Sequence, residues 1–275
     1  MAGTLYVVAT PLGNLGDLSP RAADTLKRVA AVAAEDTRHS KPLLHHVGSH
    51  AELISFHEHS SDRALERILR ILAEGRDVAL ITDAGTPAIS DPGVALVAAA
   101  RERGIQVVTI PGPTAVAASL SVSGIAGDRY LFLGFLPRKG SDRRRLLLTA
   151  AHSEWTVVIF EAPNRVTQLL ADLAEVCGPE RHAAVSRELT KVFEETRAGT
   201  LQELSAHYAE APARGEVTVV LSGTGRQRVE EPTPDPGARA KALLAEGLSR
   251  KDVAHRLAEE TGISRNTAYR LVSEL

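Results

Sequence analysis

Residues 78–93 read VALITDAGTPAISDPG, and this stretch decides the fold. Its first four residues form a short apolar run, which is typical of a buried strand. Small, polar and proline residues follow, and a helical pattern begins near Gly93. Because α/β proteins bind ligands at the carboxyl ends of their strands, the stretch predicts an α/β sheet with a ligand crevice at Asp83 and Asp91. A structural turn with helix caps is the alternative.

The alternation of strand and helix extends along the chain on both sides of this stretch. Apolar runs predict strands at 5–9, 32–34, 53–56, 78–81, 106–110, 130–133, 156–160, 183–187 and 216–221. Helical patterns separate the runs up to residue 110, which implies a parallel or mostly parallel sheet in this part of the chain. We therefore predict an N-terminal α/β domain at 1–113 and a second α/β domain at 114–224.

The chain changes character after the last predicted strand. Residues 225–236 contain alternating prolines among charged residues, which is typical of a semi-extended linker. Residues 237–275 carry three short helical patterns, with Ser249 and Ser264 as N-caps of the second and third. The pattern predicts a small helical domain resembling a helix-turn-helix, which would expose Arg265, Asn266 and Arg270.

Composition sets limits on function. The 275 residues include 44% hydrophobic and 24% charged side chains, which excludes a disordered chain. A net charge of −2 provides no overall basic field, and 4% aromatic residues argue against a base-stacking platform. A single cysteine, no signal peptide and no apolar run of membrane-spanning length predict a cytoplasmic protein. Composition alone thus favours an enzyme acting on small molecules.

Several common site motifs are missing from the sequence. Neither a dinucleotide-binding glycine fingerprint nor a phosphate-binding loop is present, so nicotinamide and ATP chemistry lose their best support. His57-Glu58-His59 is the densest cluster of metal-ligand residue types, yet no third ligand follows at a telling distance. We therefore expect no metal site.

Positive charge is concentrated in residues 138–145, which carry a local charge of +4. Phosphate binding increases with local positive charge. The following side chains are therefore candidates for contacts with phosphate groups: Arg138, Lys139, Arg143, Arg144 and Arg145. A solvated basic helix face is the alternative interpretation.

Seven motifs together make the sequence similar to a known family. They are Thr10–Leu15, Ala34–Arg38, Phe56–His59, Asp83–Pro87 with Ser90–Gly93, Pro111–Pro113, Gly134–Pro137 and Arg187–Lys191. In this order, they resemble the ribosomal RNA small subunit methyltransferase I family, a branch of the tetrapyrrole methylases. The resemblance covers residues 4–222, and the tail resembles the helix-turn-helix extension of that family.

The resemblance implies a function and a site. It implies S-adenosylmethionine as cofactor, a homodimer, and 2′-O-methylation of a cytidine in the decoding region of 16S rRNA within the small ribosomal subunit. With such a substrate, the phosphate contacts of the cations at 138–145 are predicted to be contacts with RNA. The cofactor would lie in the cleft between two α/β domains. Carried over by motif, its site would comprise Pro11, Asp83, Gly85, Thr86, Asp91, Thr114, Leu136, Phe160, Glu161, Glu216, Val217 and Thr218.

Ribose methylation requires alignment of a hydroxyl and removal of its proton. We hypothesise that Asp36 and Arg38 hold the target nucleotide, and that Glu188 or Lys191 assists the proton. Lysine could serve only if its pKa were lowered by burial or by a neighbouring cation. The alternative is that Arg187 and Glu188 form an ion pair that braces the second domain.

Two other functions remain open from the sequence. A small-molecule methyltransferase acting on a tetrapyrrole would share the fold, although the helix-turn-helix tail argues against it. A DNA-binding regulator could use the tail to bind DNA and the α/β part to sense a ligand. The tail could instead dock on rRNA or ribosomal protein, or pack on a partner subunit; its charge of +2 decides little.

Overall fold

The computed structural model describes residues 2–57, 62–225, 236–246, 248–261, 263–273 and 275. Glu58 and His59 of the histidine motif, and most of the predicted linker, lie outside these residues. The described chain forms two units, residues up to Gly223 and residues from Thr224 onward. Among the described residues, no helix is both long and apolar enough to cross a bilayer.

A parallel five-stranded sheet forms the N-terminal half of the first unit. Its strands are β1 (Leu5–Val8), β2 (Ala31–Ala34), β3 (Glu52–Ser55), β4 (Val78–Ile81) and β5 (Val107–Ile110), in the order β3-β2-β4-β1-β5. Its helices are α1 (Pro20–Arg28), α2 (Thr37–Val47), α3 (Asp62–Ala73) and α4 (Val94–Glu102). All strand pairs are parallel, which confirms the predicted topology for this half.

Strand β4 shows why this sheet is buried on both faces. Val78 and Leu80 pack in one core with α3 and α4, whereas Ala79 and Ile81 pack in another with α1 and α2. Successive side chains of a strand point to opposite faces, so a strand covered on both sides is apolar throughout. All four residues are accordingly buried.

A second five-stranded sheet follows, and its strands pair in both directions. Its strands are β6 (Tyr130–Phe135), β7 (Thr156–Glu161), β8 (His182–Arg187), β9 (Glu195–Thr200) and β10 (Val217–Leu221), in the order β6-β7-β10-β8-β9. Only β6 and β7 pair in parallel. The seven residues between β8 and β9 are too few for a parallel crossover, so the two strands form a hairpin.

The helices of this second half cover its sheet. They are α5 (Ala115–Ser123), α6 (Ser141–His152), α7 (Val166–Cys177) and α8 (Leu201–Glu210). Val116 of α5 packs against Val158, Ala184 and Val220 of the second sheet. The chain therefore passes from one half to the other just after β5.

The tail folds into three helices around its own core. These are α9 (Pro236–Ala245), α10 (Arg250–Thr261) and α11 (Arg265–Ser273). Ser249 Oγ accepts from the Asp252 N–H and Ser264 Oγ from the Thr267 N–H, both at 3.2 Å, so both predicted caps are confirmed. Ala240, Leu243, Val253, Ala254, Leu257, Ala268 and Val272 form the core, and Arg265, Asn266 and Arg270 are exposed.

Candidate functional site

The loops after β1 and β4 meet where the strand order of the parallel sheet reverses. Thr10 and Gly85 exchange two backbone hydrogen bonds, of 2.8 and 3.1 Å, and Thr10 Oγ1 donates to the Thr82 carbonyl at 3.0 Å. Thr86 Oγ1 donates to the Pro113 carbonyl at 3.1 Å, which ties the loop to the turn after β5. The crevice predicted from residues 78–93 is therefore built from three strand ends.

A cavity opens between this loop and the second half of the unit. Ten of the twelve residues predicted for the cofactor line it: Asp83, Gly85, Thr86, Asp91, Thr114, Phe160, Glu161, Glu216, Val217 and Thr218. Pro11 and Leu136 do not line the cavity, although their neighbours Leu12 and Phe135 do. The sequence motifs therefore mark both walls of one cavity.

The other lining residues were not assigned to the site from the sequence, because they are small or apolar. They are Leu12, Ala84, Ile89, Ser90, Ala115, Phe135, Ala162, Pro163, Leu189 and Gly215. Ala88 and Ser90 adopt positive φ angles of 67° and 61°, which non-glycine residues rarely do. A Cβ on Gly134 would lie 2.8 Å from Ser90 Oγ, so this glycine lets β6 approach the loop closely. Such backbone strain is common at binding sites.

The loop wall is acidic. Burial raises the pKa of Asp91 to about 6; the nearby charges of Glu35, Asp83 and Glu216 act in the same direction, and a hydrogen bond with Thr82 opposes them. Thr82 Oγ1 also donates to Glu35 Oε2 at 3.2 Å. A wall with several carboxylates favours a ligand that carries positive charge.

The segment after β2 joins this wall through Asp83. The Asp36 N–H donates to Asp83 Oδ1 at 3.2 Å, and His39 Nδ1 lies 3.1 Å from Asp83 Oδ2. Asp36 is also the N-cap of α2, and its carboxylate accepts from the Arg38 N–H at 2.8 Å and from Arg38 Nη2 at 2.6 Å. These hydrogen bonds hold the pKa of Asp36 well below its usual range. Asp36 and Arg38 are thus paired with each other beside Asp83, which lines the cavity.

Glu188 and Lys191 lie together on the β8–β9 hairpin. Lys191 Nζ donates to Glu188 Oε1 at 3.0 Å and to Glu216 Oε2 at 2.9 Å. The lysine chain also crosses Gly13 of the N-terminal half, where an added Cβ would lie 2.4 Å from Lys191 Cγ. The alternative pairing is wrong: Arg187 bonds Glu195 at 2.7 Å instead of Glu188.

This pairing bears on the proton acceptor. Burial of the Lys191 amine opposes its protonation, but the hydrogen bonds to Glu216 and Glu188 outweigh it and raise the pKa of Lys191. The hydrogen bond from Lys191 lowers the pKa of Glu188. The condition that a lysine base requires, a lowered pKa, is therefore not met by Lys191, and Glu188 is a weaker base than a free glutamate.

A buried ionic network lies behind the opposite wall. Glu161 is 1% exposed; its Oε1 accepts from the Ala162 N–H at 2.9 Å and lies 3.1 Å from Arg165 Nε. Its Oε2 lies 4.0 Å from Arg143 Nη1 and has no hydrogen-bond partner. Burial raises the pKa of Glu161, against the pull of the Ala162 N–H and both arginines.

The predicted RNA contact of Arg143 is wrong, because this side chain is buried. Arg143 is 8% exposed and bonds Asp172 Oδ2 at 2.6 Å and the Pro137 carbonyl at 3.1 Å. The other four predicted contacts, Arg138, Lys139, Arg144 and Arg145, are exposed. A shallow groove on α6 is lined by Ser141, Arg144, Arg145, Leu148, Thr149 and His152.

Residues of metal-ligand type do not cluster in the described part of this site. Within residues 2–57, 62–225 and the described tail, no three His, Cys, Asp or Glu side chains are grouped to hold a metal ion. In the motif His57-Glu58-His59, Glu58 and His59 lie outside those ranges.

Comparison with solved structures identifies the fold. Uroporphyrin III C-methyltransferase from Thermus thermophilus, in its native form, superimposes with a TM-score of 0.59 at 19% identity, over 80% of this chain and 97% of that chain. A cobalt precorrin-4 methyltransferase gives a TM-score of 0.62 at 16% identity, over 80% and 94%. The architecture is that of the tetrapyrrole methylases.

Sequence comparison then gives the family. The model of the Tetrapyrrole (Corrin/Porphyrin) Methylases matches residues 4–205. Proteins named ribosomal RNA small subunit methyltransferase I are 44% identical in a Synechocystis species, over 99% of this chain and 98% of the relative, and 46% identical in Xylella fastidiosa, over 97% and 98%. The chain belongs to this methyltransferase family within the tetrapyrrole methylases.

The buried network leads to a stability prediction. Arg143→Ala should lower the free energy of unfolding by about 3 kcal/mol, because half-buried Asp172 would lose its ion-pair partner and buried Glu161 would keep only Arg165 as a cation. Arg144→Ala, on the exposed face of the same helix, should change it by less than about 0.5 kcal/mol. Urea unfolding followed by circular dichroism measures both, and equal effects would contradict the assignment.

Proposed function

We propose that this protein transfers a methyl group from S-adenosylmethionine to the ribose 2′-hydroxyl of a cytidine in the decoding region of 16S rRNA. The observation that carries the proposal is the sequence identity to relatives named ribosomal RNA small subunit methyltransferase I. It is 44–46% over nearly the full length of both chains. We further propose that the enzyme is a cytoplasmic homodimer that acts on the small ribosomal subunit. The tail would add contacts to rRNA, ribosomal protein or the partner subunit.

The cavity fits S-adenosylmethionine in its chemistry. The cofactor would supply a methyl group already activated by a positively charged sulfonium, so no metal is needed. Asp83 and Asp91 provide negative charge on one wall, and Glu161 Oε2 is a buried acceptor without a partner on the other. A related structure, uroporphyrin III C-methyltransferase from Thermus thermophilus at 18% identity, is described as complexed with S-adenyl homocysteine.

The protein's own residues would mainly position the nucleotide. The Asp36–Arg38 pair stands at the edge of the site, and the Arg38 side chain is 85% exposed, so its guanidinium is available to a phosphate or base. Lys191 and Glu188 would hold the hairpin against Gly13 and so fix the second edge of the site. The exposed cations at 138–145, without Arg143, would bind rRNA phosphates.

Methyl transfer to isolated ribosomal subunits tests the function directly. Cofactor with a labelled methyl group should label 30S subunits from cells lacking this gene, and should not label uroporphyrinogen or precorrins. Mapping of ribose methylation should then place the label on a decoding-region cytidine. Labelling of a tetrapyrrole alone would favour the small-molecule alternative, and DNA binding without methyl transfer would favour a regulator.

The exposed cations predict the salt dependence of ribosome binding. Arg144→Glu with Arg145→Glu should reduce the slope of log K against log salt by about 1 to 2, because the variant would neutralise fewer phosphates and so release fewer counterions on binding. Arg63→Glu with Arg70→Glu, on the exposed face of α3, is the control with the same charge change. If both double variants flatten the slope equally, the α6 surface is not where RNA binds.

The pKa of Asp91 predicts how cofactor affinity depends on pH. Ionised Asp91 favours a bound cation, so protonation below its pKa of about 6 should weaken binding of S-adenosylmethionine. We expect Kd to rise by about threefold to tenfold between pH 7 and pH 5, measured by calorimetry. S-adenosylhomocysteine, which lacks the sulfonium charge, should show a smaller change, and Asp91→Asn should show none. An identical pH dependence for both ligands would refute this role.

A further inference from the structure

Three carboxylates near the cavity are paired or buried in ways that leave them unsuited to accept a proton from RNA. Asp36 is neutralised by Arg38 at 2.6 Å, and Glu188 is paired with Lys191 at 3.0 Å. Glu161 has a side chain with no exposed surface, so a hydroxyl of a large RNA cannot reach it from solvent. The proposed reaction still needs an acceptor for the ribose proton.

His39 has the geometry that these groups lack. It lies in the first turn of α2, directly after the Asp36–Arg38 pair, and its side chain is 71% exposed. Its Nδ1 lies 3.1 Å from Asp83 Oδ2, and Asp83 lines the cavity. The imidazole is therefore one hydrogen bond away from the cavity wall, on the side that is open to a macromolecule.

Asp83 is itself held in place. Its Oδ1 accepts from the Asp36 N–H at 3.2 Å, which leaves Oδ2 directed at His39. When Nδ1 carries the proton and donates it to a carboxylate, Nε2 is the bare nitrogen that can accept another proton. The carboxylate also stabilises the imidazolium that forms, as in the histidine–aspartate pairs of hydrolases.

We propose that His39 is a catalytic residue, the base that takes the ribose proton, and that Asp83 is the positioning residue that orients it. This inference rests on the proposed function, since it assumes a ribose hydroxyl as methyl acceptor. It assigns a role to a histidine that the family resemblance did not mark.

The step balances without another reactant. The ribose 2′-oxygen forms a bond to the methyl carbon as the bond between that carbon and sulfur breaks. The electron pair of the broken bond stays on sulfur, and the hydroxyl proton passes to His39 Nε2. The neutral imidazole becomes an imidazolium facing Asp83, and solvent later removes the proton because the side chain is exposed.

Single-turnover methylation of 30S subunits tests the base. His39→Ala and His39→Asn should each slow the methyl-transfer step about 100-fold or more, with cofactor and 30S affinities changed less than threefold. Added imidazole should raise the single-turnover rate of His39→Ala at least tenfold, because free imidazole can act as a base in place of the missing His39 ring. His46→Ala, an exposed histidine in the last turn of the same helix, is the matched control and should react as the wild type does.

The ring nitrogens give a test that does not depend on activity. Nitrogen NMR of the full chain at pH 8 should show the His39 signal, identified by its loss in His39→Asn, with the proton on Nδ1. Asp83→Asn should shift the population toward the Nε2-protonated form. A wild-type ring protonated on Nε2, or full single-turnover rates in both His39 variants, would overturn the inference. A wild type that does not methylate 30S subunits would instead refute the proposed function, and the inference with it.

Discussion

Two backbone hydrogen bonds between Thr10 and Gly85 are the interaction on which the site depends. They join the loops that leave β1 and β4, the neighbouring strands from which the chain diverges to opposite sides of the sheet. Parallel strands place their carboxyl ends on one edge of the sheet. Where the strand order reverses, the chain leaves neighbouring strands in opposite directions, and a crevice forms between the two loops. Gly85 has a φ of 84°, a conformation that residues with a side chain rarely adopt. A Cβ added at this position would lie 3.2 Å from Leu12 Cδ2, so a side chain would also crowd Leu12.

The two walls of the cavity solve opposite electrostatic problems. The loop wall keeps its carboxylates close together and partly hydrated, and one consequence is the raised pKa of Asp91. The wall from the second half buries Glu161 and compensates it with Arg165 and Arg143 behind the surface. A buried carboxylate is tolerated only when cations or donors compensate it. The cavity therefore has a partly exposed acidic loop wall and a buried carboxylate in the opposite wall. This combination suits a cationic small molecule.

Sequence reasoning predicted the elements whose signal is local. The apolar run of β4 and the glycine- and proline-rich loop after it identified the crevice, and motif order identified residues on both walls. Strand β9 was missed because ETRAGT is polar and only half-buried along its length. Helix α2 was not predicted, because Asp36 and Arg38 were interpreted only as holding the nucleotide, although the Asp36 carboxylate both starts the helix and binds Arg38.

Arg143 shows what a local reading of charge omits. Its partner Asp172 lies 29 residues away on another helix, so no spacing rule connects the two. Helical periodicity offered a signal, because Arg143 shares its face with the buried Leu147 and Ala150, whereas Arg144 and Arg145 do not. Five adjacent positive charges therefore divide into a structural cation and an exposed group of four. A net charge of −2 is compatible with an RNA substrate because that exposed group is local, and screening in solution confines its attraction to about 10 Å.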